Sequence, residues 1–564
     1  MLLLVIWIFI FALIAIPVAA THLWLVRRGW QDERVLLTAP LVFTGLIGYA
    51  VFFGFFLHPV FGQAVSFLIE IGLGLYLVQS RSRLKRTIAP TGLALPALLG
   101  FAIGLFYLAL LYLPQLGRDP EWQSSFRFLY EFPMDANLPK MLGDRLYAGE
   151  PLKPFLPEAG WLSSDRPPLQ VGLYLLVRPW LALVHLPDGL GYQCLGTLAQ
   201  LFWLPAAWLL CQALKLGRRR SAIAVLLAAA SGFLLFNGTY VWPKLLAGGF
   251  VLMAAVLLLD CSAPRSPRIA GLAAAAAALG WLAHGAVAFS LVTLALILLL
   301  PRYFPGWKNC LIAAAVFGLL ALPWTAYQKL YDPPANRLLK WHLAGVVPID
   351  SRGTLEAVRD SYGALSRETL LANKRANFGT LFNGSYGSAL DLFTTPIRQR
   401  RVDEFFYVFR SLGILNFAWI LVPGVWLLRR RIPAQLELQG LFLGWTVLTL
   451  AFWALAIFIP ASTIIHSSSY AMMLSLFLLA IILILSLPGW IAWTLLGWHL
   501  IDFTLTWLPY FGSSPLQLGM ISLLLFSGLL IGFALWLVAR PQASPAPSSA
   551  AEKSAGKPAA TPFP

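Results

Sequence analysis

Apolar runs of 18 or more residues recur along this chain, and a run of that length with almost no charge satisfies its backbone as a helix within a bilayer. With 59% hydrophobic and 12% charged residues, the chain reads as an all-α polytopic membrane protein. Nothing in it alternates like the ten-residue strands of an outer-membrane barrel, and 22 Trp fit interfacial belts on a large helical bundle. Cys194, Cys211, Cys261 and Cys310 lack the spacing of a zinc site or redox pair. The net charge of +17 comes as short Lys/Arg clusters beside apolar spans, which encodes orientation in a membrane and argues against nucleic acid as a partner.

Hydropathy places spans near residues 2–26, 35–57, 62–78 and 92–114, with a long polar loop after the fourth. Six more fall near 194–215, 221–236, 245–260, 269–283, 285–300 and 309–326, before a second polar loop. The last five lie near 409–428, 438–458, 468–487, 490–508 and 516–538, giving about fifteen crossings. Arg27, Arg28, Arg81, Arg86, Arg218, Arg265, Arg302 and Arg429 share the cytoplasmic side only if segment 168–186 does not cross. That segment carries Arg178 and Pro179 at its middle, and it reads as a helix lying at the interface. Both long loops then face outside. Segment 541–564, rich in Pro, Ala and Ser, is expected to be a disordered cytoplasmic tail.

Chain organisation follows from these spans. Residues 1–91 are N-terminal membrane helices, and 92–330 hold the outer loop 115–168 with the spans after it. Residues 331–408 are a second outer loop, and 409–540 are C-terminal helices. The stretch TLEAVRDSYGALSRETLLANKRANF in the second loop reads as amphipathic helix covering the first loop.

The first outer loop contains PMDANLPKMLGDRLYAG and SSDRPPL, an Asp before a short helix and then a PPL element opening another helix. With Asp135, Pro167, Pro168, Leu169 and the GWLAHG stretch around His284, this resembles the C-type (GT-C) glycosyltransferases, a superfamily including protein O-mannosyltransferases and the lipid A aminoarabinose transferase. The resemblance covers about residues 92–330 and leaves the last five spans unassigned. The three spans before the motif depart from the common pattern, in which the first span leads straight to the catalytic loop.

The resemblance implies an inverting enzyme that moves a sugar from a polyprenyl-phosphate donor to an extracytoplasmic glycan, lipid or protein acceptor in the bacterial cytoplasmic (inner) membrane, with its active site on the periplasmic face. That chemistry needs one carboxylate as general base and cations on the departing phosphate. Asp135 is the expected base, with Glu131 second; the structural alternative for Asp135 is capping the helix that follows. Asp165 and Arg166 precede the PPL element. Asp165 reads either as a substrate or metal contact or as an N-cap with Pro167 in the first turn, and Arg166 as a bidentate phosphate ligand or a solvated side chain. Lys244 is a phosphate candidate or a snorkelling lysine. Arg145, Arg337 and Lys340 complete the basic set for donor phosphate or substrate, and His284 reads as an acceptor or metal contact or as a hydrogen-bonded structural histidine. No tight ligand cluster exists in the sequence, so a divalent cation is left open.

Two other classes compete. An O-antigen-type polymerase or ligase would depend on Arg-rich outer loops. A secondary transporter or lipid flippase would show internal repeats with broken helices, and no convincing repeat is seen. Glu70 and Asp502 lie inside proposed spans, where charge is expensive enough to suggest function.

Overall fold

A computed structural model describes residues 1–81, 93–114, 123, 127, 134–158, 160–260, 265–382, 411–420, 434–460, 470–508 and 514–540. Among these the regular structure is helical, and the chain passes through eight helices long and apolar enough to cross a membrane, or nine if one bent pair counts as a span. α1 (Leu2–Arg27), α2 (Glu33–Leu57) and α3 (Pro59–Gln79) come first, then α4 (Ala94–Leu111). The first loop contributes α5 (Leu138–Ala148) and leads into α6 (Leu169–Leu183). Next come α7 (Asp188–Gln200), α8 (Trp203–Ala213), α9 (Arg218–Ala229), α10 (Gly232–Tyr240) and α11 (Lys244–Leu259). α12 (Pro267–Ala283), α13 (Ala288–Leu298) and α14 (Trp307–Ala326) lead to the second loop, which holds α15 (Arg337–Ala344), α16 (Thr354–Gly363) and α17 (Arg367–Phe382). α18 (Ala434–Ala456), α19 (Tyr470–Leu485), α20 (Gly489–Trp507) and α21 (Leu518–Ala539) complete the described helices.

Local chemistry sets several helix starts. The Asp32 side chain accepts from Arg34 N at 2.9 Å before α2, and Ser266 accepts from Ile269 N before α12, where Pro267 occupies the first turn. At the centre α11 is buried along nearly its whole length, packed against α8, α12 and α19. At the periphery α3, α14 and α21 present leucines such as Leu68, Leu319 and Leu529 outward, as a lipid-facing surface would.

Among the described residues eight or nine helices pass by length and composition, against fifteen spans expected along the whole chain. α7 and α8 run on as one apolar stretch, Asp188–Ala213, whereas α9 and α10 meet at a 69° bend. Of the expected spans, α11, α12 and the Tyr470–Leu485 helix have 16, 17 and 16 residues, so at about 1.5 Å per residue each falls short of a ~30 Å hydrocarbon core. Hydropathy measures apolar composition and is blind to where a helix breaks. Half of the expected span 409–428 lies outside the described residues, as does 541–564.

α6 also corrects an expectation. It is not laid on a surface: every residue from Leu169 to Val177 is buried, and the helix packs among α2, α3, α5 and α7. Gly172 allows this, because a Cβ there would lie 2.0 Å from the Gly48 carbonyl oxygen of α2. Arg178 is charge-matched rather than snorkelling; it lies 3.5 Å from Asp144 and 3.8 Å from Asp188 and stacks on Tyr147.

The flanking helices belong to the same body. Tyr49 of α2 donates to Leu320 O of α14, and α21 packs along α4. Arg127 donates to Leu110 O at 3.0 Å and Trp507 O at 2.9 Å, so one guanidinium satisfies end carbonyls of α4 and α20. The stretch expected as one amphipathic helix in the second loop is two, because Ser366 caps a new start by accepting from Thr369 N.

Candidate functional site

Asp135 sits in a one-turn 3-10 helix, Met134–Ala136, and its side chain is largely buried. Arg166 Nη2 lies 2.8 Å from Asp135 Oδ2, and the guanidinium stacks 4.3 Å over the Trp161 ring. The ion pair is close but poorly aligned: Arg166 Nε and Nη2 are buried without a hydrogen bond among the described residues. Lys244, at the first position of α11, lies in the electrostatic field of both Asp135 and Arg166, with its ammonium 3.2 Å over the Trp242 ring.

A relay of amides fixes the spacing between these groups. Tyr192 donates to Ala136 O at 2.8 Å, on the turn carrying Asp135. Gln170 donates to Tyr192 Oη and to Val241 O, and Gln200 donates to Gln170 Oε1 at 3.0 Å. Gln200 Oε1 accepts from Leu245 N and Leu246 N, the first turn of α11. This chain ties the Asp135 turn to the helix end bearing Lys244, wholly within the protein interior.

Beside Arg166 lies a cavity of about 170 Å³. Arg166, His284, His342 and Gln328 give it polar edges, and Phe289, Leu338, Leu339 and Leu343 give it apolar walls. His284 accepts through Nδ1 from Ala286 N at 3.1 Å, capping the 3-10 turn Gly285–Val287. Burial, then the cations Lys244 and Arg166 and the neighbouring His342, push its imidazole well below its ordinary value, so it is neutral at neutral pH.

The second loop closes over this region through buried hydrogen bonds. Ser163 Oγ and Ser164 N donate to Asp332, Ser164 Oγ donates to Asp332 O, and Gln328 donates to Ser164 O. Arg337 Nη1 donates to Asp165 Oδ2 at 2.8 Å while stacking on the far-reaching Trp161 ring. Asp165 Oδ2 also accepts from Leu162 N, closing its own turn. Burial pushes the Asp165 carboxyl up from its ordinary value, against the pull of Leu162 N–H and Arg337. Asp165 is thus engaged structurally, although its residue lines the cavity.

Of the residues expected at the site, Asp135, Arg166, Lys244 and His284 share one neighbourhood, with Asp165 and Arg337 as its outer support. Arg145 and Lys340 are committed elsewhere. Arg145 donates to Pro154 O and stacks over Phe155, and buried Lys340 pairs with Asp350 and donates to Asp350 O and Arg352 O. Glu131 lies outside the described residues. His342, which the sequence offers with Asp332 and Trp341 as an acceptor or lipid-head contact or an interfacial anchor, lines the cavity. Gln170, Tyr192 and Gln200 were not expected; a glutamine in an apolar run, as at 170 and 200, is the only sequence trace they leave. Asn237 and Asn383 each open a tripeptide that matches a glycosylation acceptor; Asn237 is fully buried and bonded to Phe233 O, and Asn383 lies outside the described residues.

Glu70 is buried in α3, and neither of its carboxyl oxygens has a hydrogen bond among the described residues; Asp502 is half-buried and accepts from Thr506. Among the described residues no group of three or more His, Cys, Asp or Glu is placed to hold a metal ion. Comparison with family models, with curated proteins and with solved structures finds no match to this chain.

Proposed function

We propose that this protein is an inverting glycosyltransferase that moves a sugar from a polyprenyl-phosphate donor to an acceptor hydroxyl at the outer face of a bacterial cytoplasmic membrane. The observation that carries this reading is Arg166, which lines a cavity with polar edges and leucine-rich walls and lies 2.8 Å from Asp135, itself outside the cavity lining. A lipid phosphate is both anionic and apolar, and this arrangement offers both characters side by side.

In the proposed reaction the acceptor oxygen attacks the anomeric carbon as the bond from that carbon to the phosphate oxygen breaks, and the phosphate keeps the electron pair. The hydroxyl proton passes to the Asp135 carboxylate. Arg166, with its Nε unspent, turns its fork to the phosphate as charge gathers there, and Lys244, whose amine burial pushes well below its ordinary value against the pull of Asp135, adds a second positive charge when protonated. A single displacement needs no second carboxylate as nucleophile. At about 170 Å³ the cavity holds a phosphate and part of a sugar, so the isoprenoid tail leaves along the leucine side of α15.

The test is Asp135→Asn in purified protein, offered a panel of polyprenyl-phosphate sugars with glycan, lipid and peptide acceptors. Loss of transfer with an unchanged unfolding midpoint supports the reading. Retained transfer moves the base elsewhere, and no transfer by the wild-type protein with any donor overturns the enzyme reading in favour of transport.

A further inference from the structure

A second cavity, of about 550 Å³, opens between α9, α20 and α21. Its walls are apolar, including Ile223, Leu226, Leu496, Leu500, Leu535 and Trp536, and no acidic residue lines it. The back wall is held by His499 of α20, whose Nε2 lies 2.9 Å from Leu227 O of α9. One end is strongly cationic. Arg219 lines the groove near Ala539, Arg218 and Arg220 flank it in the chain, and the Arg540 guanidinium sits 3.4 Å over the Trp536 ring. All four arginines are exposed.

One wall of this groove, α21, is long and apolar enough to cross a membrane, and α9 passes the same test with α10 as a bent pair; Arg219 in the lining and Arg540 over the Trp536 wall are over 300 positions apart in sequence. We infer that it is a binding site for one anionic glycerophospholipid, with an acyl chain along the leucine and tryptophan walls and the phosphate between Arg219 and Arg540. Charge complementarity selects this occupant: a zwitterionic lipid fills the apolar groove equally well but brings its own cation to a cationic rim. The wall residues satisfy the chain without polar groups to desolvate, so the headgroup alone sets the preference. The site is separate from the Asp135–Arg166 centre and stands or falls independently of the donor reading.

The probe is an equimolar mixture of phosphatidylglycerol and phosphatidylcholine, with lipid retained by the purified full chain read by native mass spectrometry. Wild-type protein retains phosphatidylglycerol preferentially, and Arg219→Gln and Arg540→Gln each lower that preference by about fivefold, the contribution of one surface cation. Gly497→Trp lowers retention of both lipids, since Gly497 lines the groove and a Cβ there meets nothing within 4 Å, so the indole fills the cavity without backbone strain. Unfolding midpoints of the variants, compared without lipid, guard against simple misfolding. Equal retention of both lipids overturns the inference, as does a preference untouched by all three variants. Retention of neither lipid by the wild type also overturns it, that being the outcome if residues 541–564 or a second copy of the chain fills the groove.

Discussion

Asp165 and Arg337 are 172 positions apart, yet their side chains meet at 2.8 Å with both almost excluded from solvent. This pair, with the Asp332 bonds to Ser163 and Ser164, locks the start of the second loop onto the segment that delivers Arg166.

Breaking that lock strands a buried charge. Arg337→Met should destabilise the protein by about 3–5 kcal/mol, the usual effect of removing one partner of a buried pair. Asp165→Asn with Arg337→Met should recover part of the loss. Chemical denaturation of the three proteins checks this, and a double variant no more stable than Arg337→Met would show that the pair is not the coupled unit described.

Lys244 should separate stability from activity. Lys244→Met replaces a buried ammonium by an apolar chain of similar length, so the unfolding midpoint should hold or rise. Transfer should fall by roughly 10²–10³-fold if the ammonium stabilises departing phosphate. A fall in stability with normal transfer in the surviving fraction would make Lys244 a structural residue.

Gly172→Ala tests the seating of α6. The new Cβ would sit 2.0 Å from Gly48 O, a backbone atom that cannot rotate away, so the two helices must separate. Overpacking of this kind costs about 1–3 kcal/mol. Ala at Gly285, where a Cβ meets nothing within 4 Å, is the control and should leave the midpoint unchanged.

His284 should give the protein an acid-sensitive limb. Its imidazole is held below the ordinary 6.5 first by burial and then by Lys244, Arg166 and His342, so between 6.5 and the lower folded value the unfolded chain binds the extra proton. Stability attributable to this group is therefore complete above 6.5 and is lost as pH falls. His284→Asn keeps an oxygen acceptor for Ala286 N, and it should flatten the dependence of the unfolding midpoint on pH over about 7 to 5. Parallel curves for the two proteins would remove His284 from this role.

Much of the candidate site was legible as a set of residues but not as a geometry. Asp135 and Arg166 stand in one polar loop between apolar runs, which marks them for attention. Nothing in their spacing says that they touch, or that Arg145 of the same loop turns to Pro154 O instead. Arg337 and Lys340 stand three positions apart on one face of a short helix, yet Arg337 reaches Asp165 of the first loop while Lys340 reaches Asp350 of its own loop, a choice that only the tertiary placement of those two acids makes. The amide relay through Tyr192, Gln170 and Gln200 joins three separate helices to the Asp135 turn, and no local pattern encodes such a path.

By itself the sequence determined that this chain is helical and built for an apolar surround, and roughly where its helices lie, because backbone groups without water must bond within their own segment. Tertiary structure decided the rest: that α6 is interior, that α9 and α10 bend apart, and which charges pair. The reason is physical. Hydrophobicity is a property of each residue and can be summed along the chain, whereas burial and ion pairing depend on which distant surfaces fit, as Gly48 and Gly172 do.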